Sequence, residues 1–146
     1  MDSVSIKGIV ALVLLIVAFV VVFYKKVSVS NKMEREARFF LKEHPDAATI
    51  YGKFTINGVT SNLSISEVDG NPPIYFSDGE NWVYYILPGM HDIKAVFDGK
   101  IAGMGPISAV SHQRTEEMLT IDLKPSKKYR LSFDKNSKII TLSEEE

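Results

Sequence analysis

The chain has 146 residues, 45% of them hydrophobic, and a formal charge of -1, which suits one packed domain and argues against a disordered tail. Seventeen basic residues set against eighteen acidic ones leave no whole-chain basic field, so no nucleic-acid partner is expected. The absence of cysteine excludes disulfides, thiolate metal sites and cysteine nucleophiles together, while being compatible with a reducing or an oxidising compartment.

The first element is the apolar run GIVALVLLIVAFVVVFY, residues 8–24, which Lys25 and Lys26 end. About seventeen apolar residues lie at the lower limit for crossing a hydrocarbon core of roughly 30 Å, and snorkelling by Lys7 and the lysine pair makes up the shortfall. Phe23 and Tyr24 stand where an interfacial aromatic anchor belongs. Residues 1–26 are therefore expected to be an uncleaved, single-pass membrane anchor. Two other readings stay open: a buried core helix, and a cleaved signal peptide with Lys7 as its positive region and Ser28-Val29-Ser30 at the peptidase site. Lys25, Lys26, Lys32, Arg35 and Arg38 follow the run, whereas Lys7 and the terminal amine precede it. The positive-inside rule, taken alone, would keep the following domain cytoplasmic.

Residues 27–48 read as a connector and stalk. The polar VSVS of residues 27–30 is the connector, and NKMEREARFFLKEHP predicts a helix capped by Asn31 with Glu34 in capping-box position. Met33, Ala37, Phe40 and Leu41 form one apolar stripe, Glu34 and Arg38 an i,i+4 pair, and His44-Pro45 the stop. The stripe suits either a helix lying on a membrane surface or a stalk helix packing on the domain. Interleaved acidic residues favour the stalk.

From Thr49 the hydrophobic period changes to two. Strands are expected near residues 49–56, 62–68, 73–76, 82–87, 91–97, 117–123, 128–133 and 138–142. Turn signals stand at Asn57-Gly58, Asp69-Gly70, Asp78-Gly79, Pro88-Gly89 and Asp98-Gly99. Leu119, Ile121 and Leu123 share one face, as do Tyr129, Leu131 and Phe133. The prediction is mainly β, an antiparallel β-sandwich of about seven or eight strands over residues 49–142, followed by an acidic tail at 143–146. The segment 99–117, with three glycines and a proline, is expected to be a long mobile connection.

No catalytic, cofactor-binding or metal-binding residues are predicted. His44, His91 and His112 are far apart, without a zinc motif, and His91 and Asp92 point to opposite faces of a strand. The serine-nucleophile, dinucleotide and phosphate-loop motifs are absent. Asp69-Gly70-Asn71 and Asp78-Gly79-Glu80-Asn81 gather oxygen ligands, but Asp-Gly is also what hairpin turns require. Asn62-Leu63-Ser64 matches a glycosylation sequon on an expected strand, and Trp82, Tyr84 and Tyr85 offer aromatics for core or ligand.

The order SEVDGNPPIYF, YYILPGMHDIKAVF, MLTIDLKPSKKYRLSF over roughly residues 60–142 resembles PEGA-type β-sandwich domains of bacterial envelope lipoproteins. Asp69 and Gly70, then Pro88, Gly89 and His91, then Ile93, Ala95 and Phe97, and finally Lys128, Tyr129 and Leu131 carry the likeness. The four-residue signature that names the family is replaced by Pro88-Gly89-Met90-His91, and no lipobox cysteine is present. The resemblance implies a non-enzymatic module of the bacterial cell envelope without cofactors, bound to a protein partner or an envelope polymer. It also implies an extracytoplasmic domain on an inner-membrane anchor, against the flanking-charge count. Two further expectations stay open: a small accessory or assembly subunit of a larger membrane complex, and a metal-dependent or hydrolytic enzyme.

Overall fold

The computed structural model describes the backbone of residues 3–56, 59–102 and 110–145. One helix, α1 (Ser3–Glu43), is followed by eight strands: β1 (Ala48–Ile56), β2 (Val59–Val68), β3 (Ile74–Ser77), β4 (Asn81–Ile86), β5 (Gly89–Ala102), β6 (Val110–Leu123), β7 (Lys128–Asp134) and β8 (Ile139–Glu144). All eight expected strands are present, and every pairing is antiparallel except β1 with β7.

The expectation of two separate sheets needs an amendment, because the strands form one hydrogen-bonded network. β1 is the shared strand. Along Ala48–Lys53 it pairs β4, and its Thr49, Ile50 and Tyr51 also pair β7 on the other side. From Lys53 onward it pairs β2, across a bulge between Lys53 and Thr55. The changeover falls on Gly52, where a Cβ would run into the carbonyl oxygen of Leu63. Only glycine allows the β2 backbone that close.

Side chains from both wings meet in one core, where Ile50, Leu63, Tyr84, Ile93, Leu123 and Ile140 are almost wholly buried. The Phe97 ring of β5 stacks on that of Phe133 in β7, with centroids 3.7 Å apart. Two tyrosine hydroxyls close backbone gaps: Tyr84 accepts the Ile65 N–H at 3.0 Å, and Tyr129 accepts the Lys124 N–H at 2.9 Å. The second contact ties the strand start to its incoming turn, as tyrosine corners do. Burial pushes the Tyr84 hydroxyl well above its ordinary range, so it stays a neutral acceptor and donor.

Three other expectations change. The helix does not break at 27–30: VSVS continues α1. Asp98-Gly99 is not a turn but the interior of β5, where Gly99 packs on Ser61 and the Phe97 ring. The expected connection 99–117 is largely the long β5–β6 ladder, which is paired from Gly89–Leu123 out to Ala102–Val110. The Asn57-Gly58 turn lies outside the described residues.

The stripe of α1 behaves as the stalk reading predicts. Ala37 is buried, Met33, Phe40 and Leu41 are half-buried, and this end of the helix packs on β3 and β4. In doing so it covers β3, the short edge strand of that wing. Among the described residues, no helix is long and apolar enough to cross a membrane. The side chains described within the run are those of residues 10–22 and Tyr24, fewer than the 8–24 span expected from sequence. Within the described residues α1 thus falls short of the expected 8–24 span.

Replacing Gly52 with alanine should lower unfolding stability by about 2 kcal/mol or more, because an overpacked core typically costs 1–3 kcal/mol. Urea unfolding followed by the fluorescence of Trp82, the one tryptophan, measures it. A Ser132→Ala control on the exposed side of β7 should stay within about 0.5 kcal/mol of the parent.

Candidate functional site

The chemistry-bearing residues of the domain converge where the β2–β3 and β4–β5 turns meet the end of α1. The first turn is built by Asp69 and Gly70, at φ of 52° and 76°, between Val68 and Asn71, which exchange backbone bonds of 2.8 and 3.0 Å. Two successive positive φ values define the hairpin geometry that Asp-Gly favours. In the second turn Gly89 takes φ 130° after Pro88, and β5 begins there.

His91 clamps the two turns together. Its Nδ1 lies 2.6 Å from Asp69 Oδ2, and its Nε2 lies 2.8 Å from the Leu87 carbonyl oxygen. The other Asp69 oxygen accepts the Asp92 N–H at 2.9 Å, while the Asp69 N–H donates to the Asp92 carbonyl at 2.9 Å. Leu87 O and an ionised carboxylate are acceptors only, so both ring bonds form together only when the imidazole carries two protons. The Asp92 N–H, then the bond to His91, hold the Asp69 carboxyl below its ordinary value of 3.8.

The expected separation of His91 from Asp92 is seen: the Asp92 side chain accepts from the Thr120 hydroxyl at 2.6 Å. His91 finds its carboxylate twenty-two residues earlier, at Asp69, which sequence reasoning did not connect with it. Both residues stand in turn motifs visible in the sequence, Asp69-Gly70 and Pro88-Gly89-Met90-His91, but nothing local relates one turn to the other. With Nε2 turned to a backbone carbonyl, the ring offers no free nitrogen to a nucleophile or a metal in this arrangement.

Above His91 lies an apolar groove of about 190 Å³, bounded by Phe40 of α1, Ile74 of β3, and Tyr85 and Leu87 at the end of β4. It continues along α1 into a wider groove past Phe39 and Glu43. Tyr85 therefore faces α1 and this groove, whereas Trp82 and Tyr84 face inward. There Trp82 packs on Phe54 at 4.0 Å and on Tyr75 at 5.3 Å. The indole N–H donates to Asn62 Oδ1 at 2.6 Å, so the sequon asparagine is engaged by the domain itself.

The remaining sequence candidates are dispersed. His112 sits on the outer face of β6 beside Asp98, 2.7 Å away, and the His44 ring packs at a tilt against Phe40 at the helix end. Asp78 accepts from the N–H groups of Glu80 and Asn81, so its loop satisfies its own carboxylate; burial works against that charge, but these bonds hold the group below its ordinary range. Among the described residues, no cluster of three or more histidine, aspartate or glutamate side chains is placed to hold a metal. Glu117, unremarked in sequence, accepts the Ile140 N–H at 2.6 Å and bridges the edges of β6 and β8.

No protein-family model, curated protein or solved structure matches the chain.

Because the folded-state value of Asp69 is depressed, its stabilising contribution is fully present above the unfolded carboxylate value of 3.8 and is lost as pH falls through the folded one. Thermal midpoints measured from pH 7 downward should show Asp69→Asn less stable than the parent at neutral pH. The gap should narrow below about pH 4.

Proposed function

We propose that the chain is a single-pass, membrane-anchored, non-enzymatic protein of the bacterial cell envelope whose β-domain binds a protein partner or a cell-wall polymer. The observation that carries the reading is the surface of α1. Its large apolar side chains from Val10 to Val22 are exposed on all sides, from 49% at Val21 to 72% at Phe19. A helix that is apolar all round belongs in hydrocarbon or in a large protein core. The apolar sequence itself runs from residue 8 to 24, about the shortest length a span requires.

The likeness of residues 60–142 to PEGA-type domains supports an extracytoplasmic β-sandwich on an inner-membrane anchor. The Asp69–His91 clamp fits a binding module: it fixes two turns under an apolar groove and leaves no ring nitrogen for reaction. The groove between α1 and β3, with Phe39 and Ile74 exposed, is the surface offered to the partner. A second reading, an accessory or assembly subunit of a larger membrane complex, is favoured by Ala11 and Ala18, both exposed seven residues apart on α1. Co-migration with a large complex on native gels in mild detergent, lost when both become leucine, distinguishes it.

The full chain should remain in the membrane pellet after alkaline carbonate washing. Leu15→Asp with Val17→Asp should release it, since each charge at a helix centre costs about 3 kcal/mol of insertion. Recovery of the parent chain in the carbonate supernatant would overturn the anchor. A C-terminal fusion should be active with a reporter that works only outside the cytoplasm.

A further inference from the structure

The three ends of the strand network are treated differently. β3 is four residues long and lies under α1, and the Ile140 amide on β8 is taken up by Glu117. β6 is fourteen residues long, ends the strand order and pairs β5 along its whole length. Among the described residues, no strand pairs with the far side of β6; β8 comes near that side at Glu117, and His112 to Glu116 make no strand pairing there. Such an edge presents a row of backbone donors and acceptors to another strand.

We propose that this edge pairs with the β6 edge of a second copy of the chain, antiparallel, with Thr115 on the two-fold axis. The argument is charge complementarity. Arg114 and Glu116 flank Thr115 on the exposed outer face, where they pair with each other at 2.6 Å within one strand. With the axis at Thr115, Arg114 of each copy stands opposite Glu116 of the other, and the in-strand pair becomes two cross-strand pairs. Moving the axis to Arg114 or Glu116 sets like charges against each other, which is unfavourable between strands. The same register places Met118, 61% exposed, opposite His112 of the second copy. It also faces the two Thr115 side chains on the inner side, a pairing that strands favour. Each copy thereby offers the same patch to the other, the self-complementary interface of a two-fold dimer. This pairing does not depend on the anchor reading.

The absence of native cysteine makes the register directly testable. Full-length Thr115→Cys in mild detergent, treated with a mild oxidant, should form a disulfide dimer, because facing residues of antiparallel strands lie within disulfide reach. Adding Arg114→Glu should cut the yield about tenfold, since both cross-strand attractions become repulsions. The charge swap Arg114→Glu with Glu116→Arg should restore it. As an independent arm on exposed positions, His112→Cys and Met118→Cys chains should crosslink to each other when mixed, and much less each with itself. The proposal is overturned if Thr115→Cys stays monomeric or crosslinks no faster than Ser132→Cys on β7. It is also overturned if the mixed pair shows no preference for each other.

Discussion

One strand belongs to both halves of the domain, and the rest of the architecture depends on it. β1 has β4 on one side and β7 on the other until Tyr51, then passes Gly52 and takes up β2. A side chain at residue 52 would separate β1 from the Leu63 backbone, and with it the wing that carries β5 and β6. The core lies between the wings, so Phe97 reaches Phe133 only because this one crossing brings them face to face. The same crossing sets β4 and β2 on opposite sides of β1. Their outgoing turns then lie close enough for one histidine to bridge Asp69 and Leu87.

The helix is joined to this body through side chains rather than tethered by a loop. Ala37, Phe40 and Leu41 pack toward β3 and β4, and no break separates them from the exposed apolar run upstream. Two backbone bonds fix the exit: Ala47 N–H to the His44 carbonyl, and Ser126 N–H to the Asp46 carbonyl. In the proposed function this makes the anchor and the domain one body. The groove beside Phe40 is then held at a set height and azimuth above the bilayer instead of sweeping on a linker.

Much of this was legible in sequence. Period-two alternation and glycine turns located all eight strands, because half-buried strands impose that pattern directly. The amphipathic stripe at Met33 to Leu41 likewise declared its buried face. The misreadings share a cause: residue type was taken for local conformation where tertiary packing decided. VSVS looked like a linker, yet residues 9–44 contain neither glycine nor proline, so nothing in that stretch stops a helix. Asp98-Gly99 has turn chemistry, but Gly99 is there for the close approach of Ser61. The His91 to Asp69 bond joins two turns that no local rule relates. The edge role of Glu117 depends on β8 arriving beside β6, which only topology shows.

The claim that apolar run and β-domain form a single rigid unit is tested most directly by amide hydrogen exchange along α1 of the full chain in lipid bilayers. The account predicts slow, continuous protection from residue 27 through Phe40, with no gap at residues 27–30. Rapid exchange confined to residues 27–30, flanked by protected segments, would reveal a hinge and contradict it.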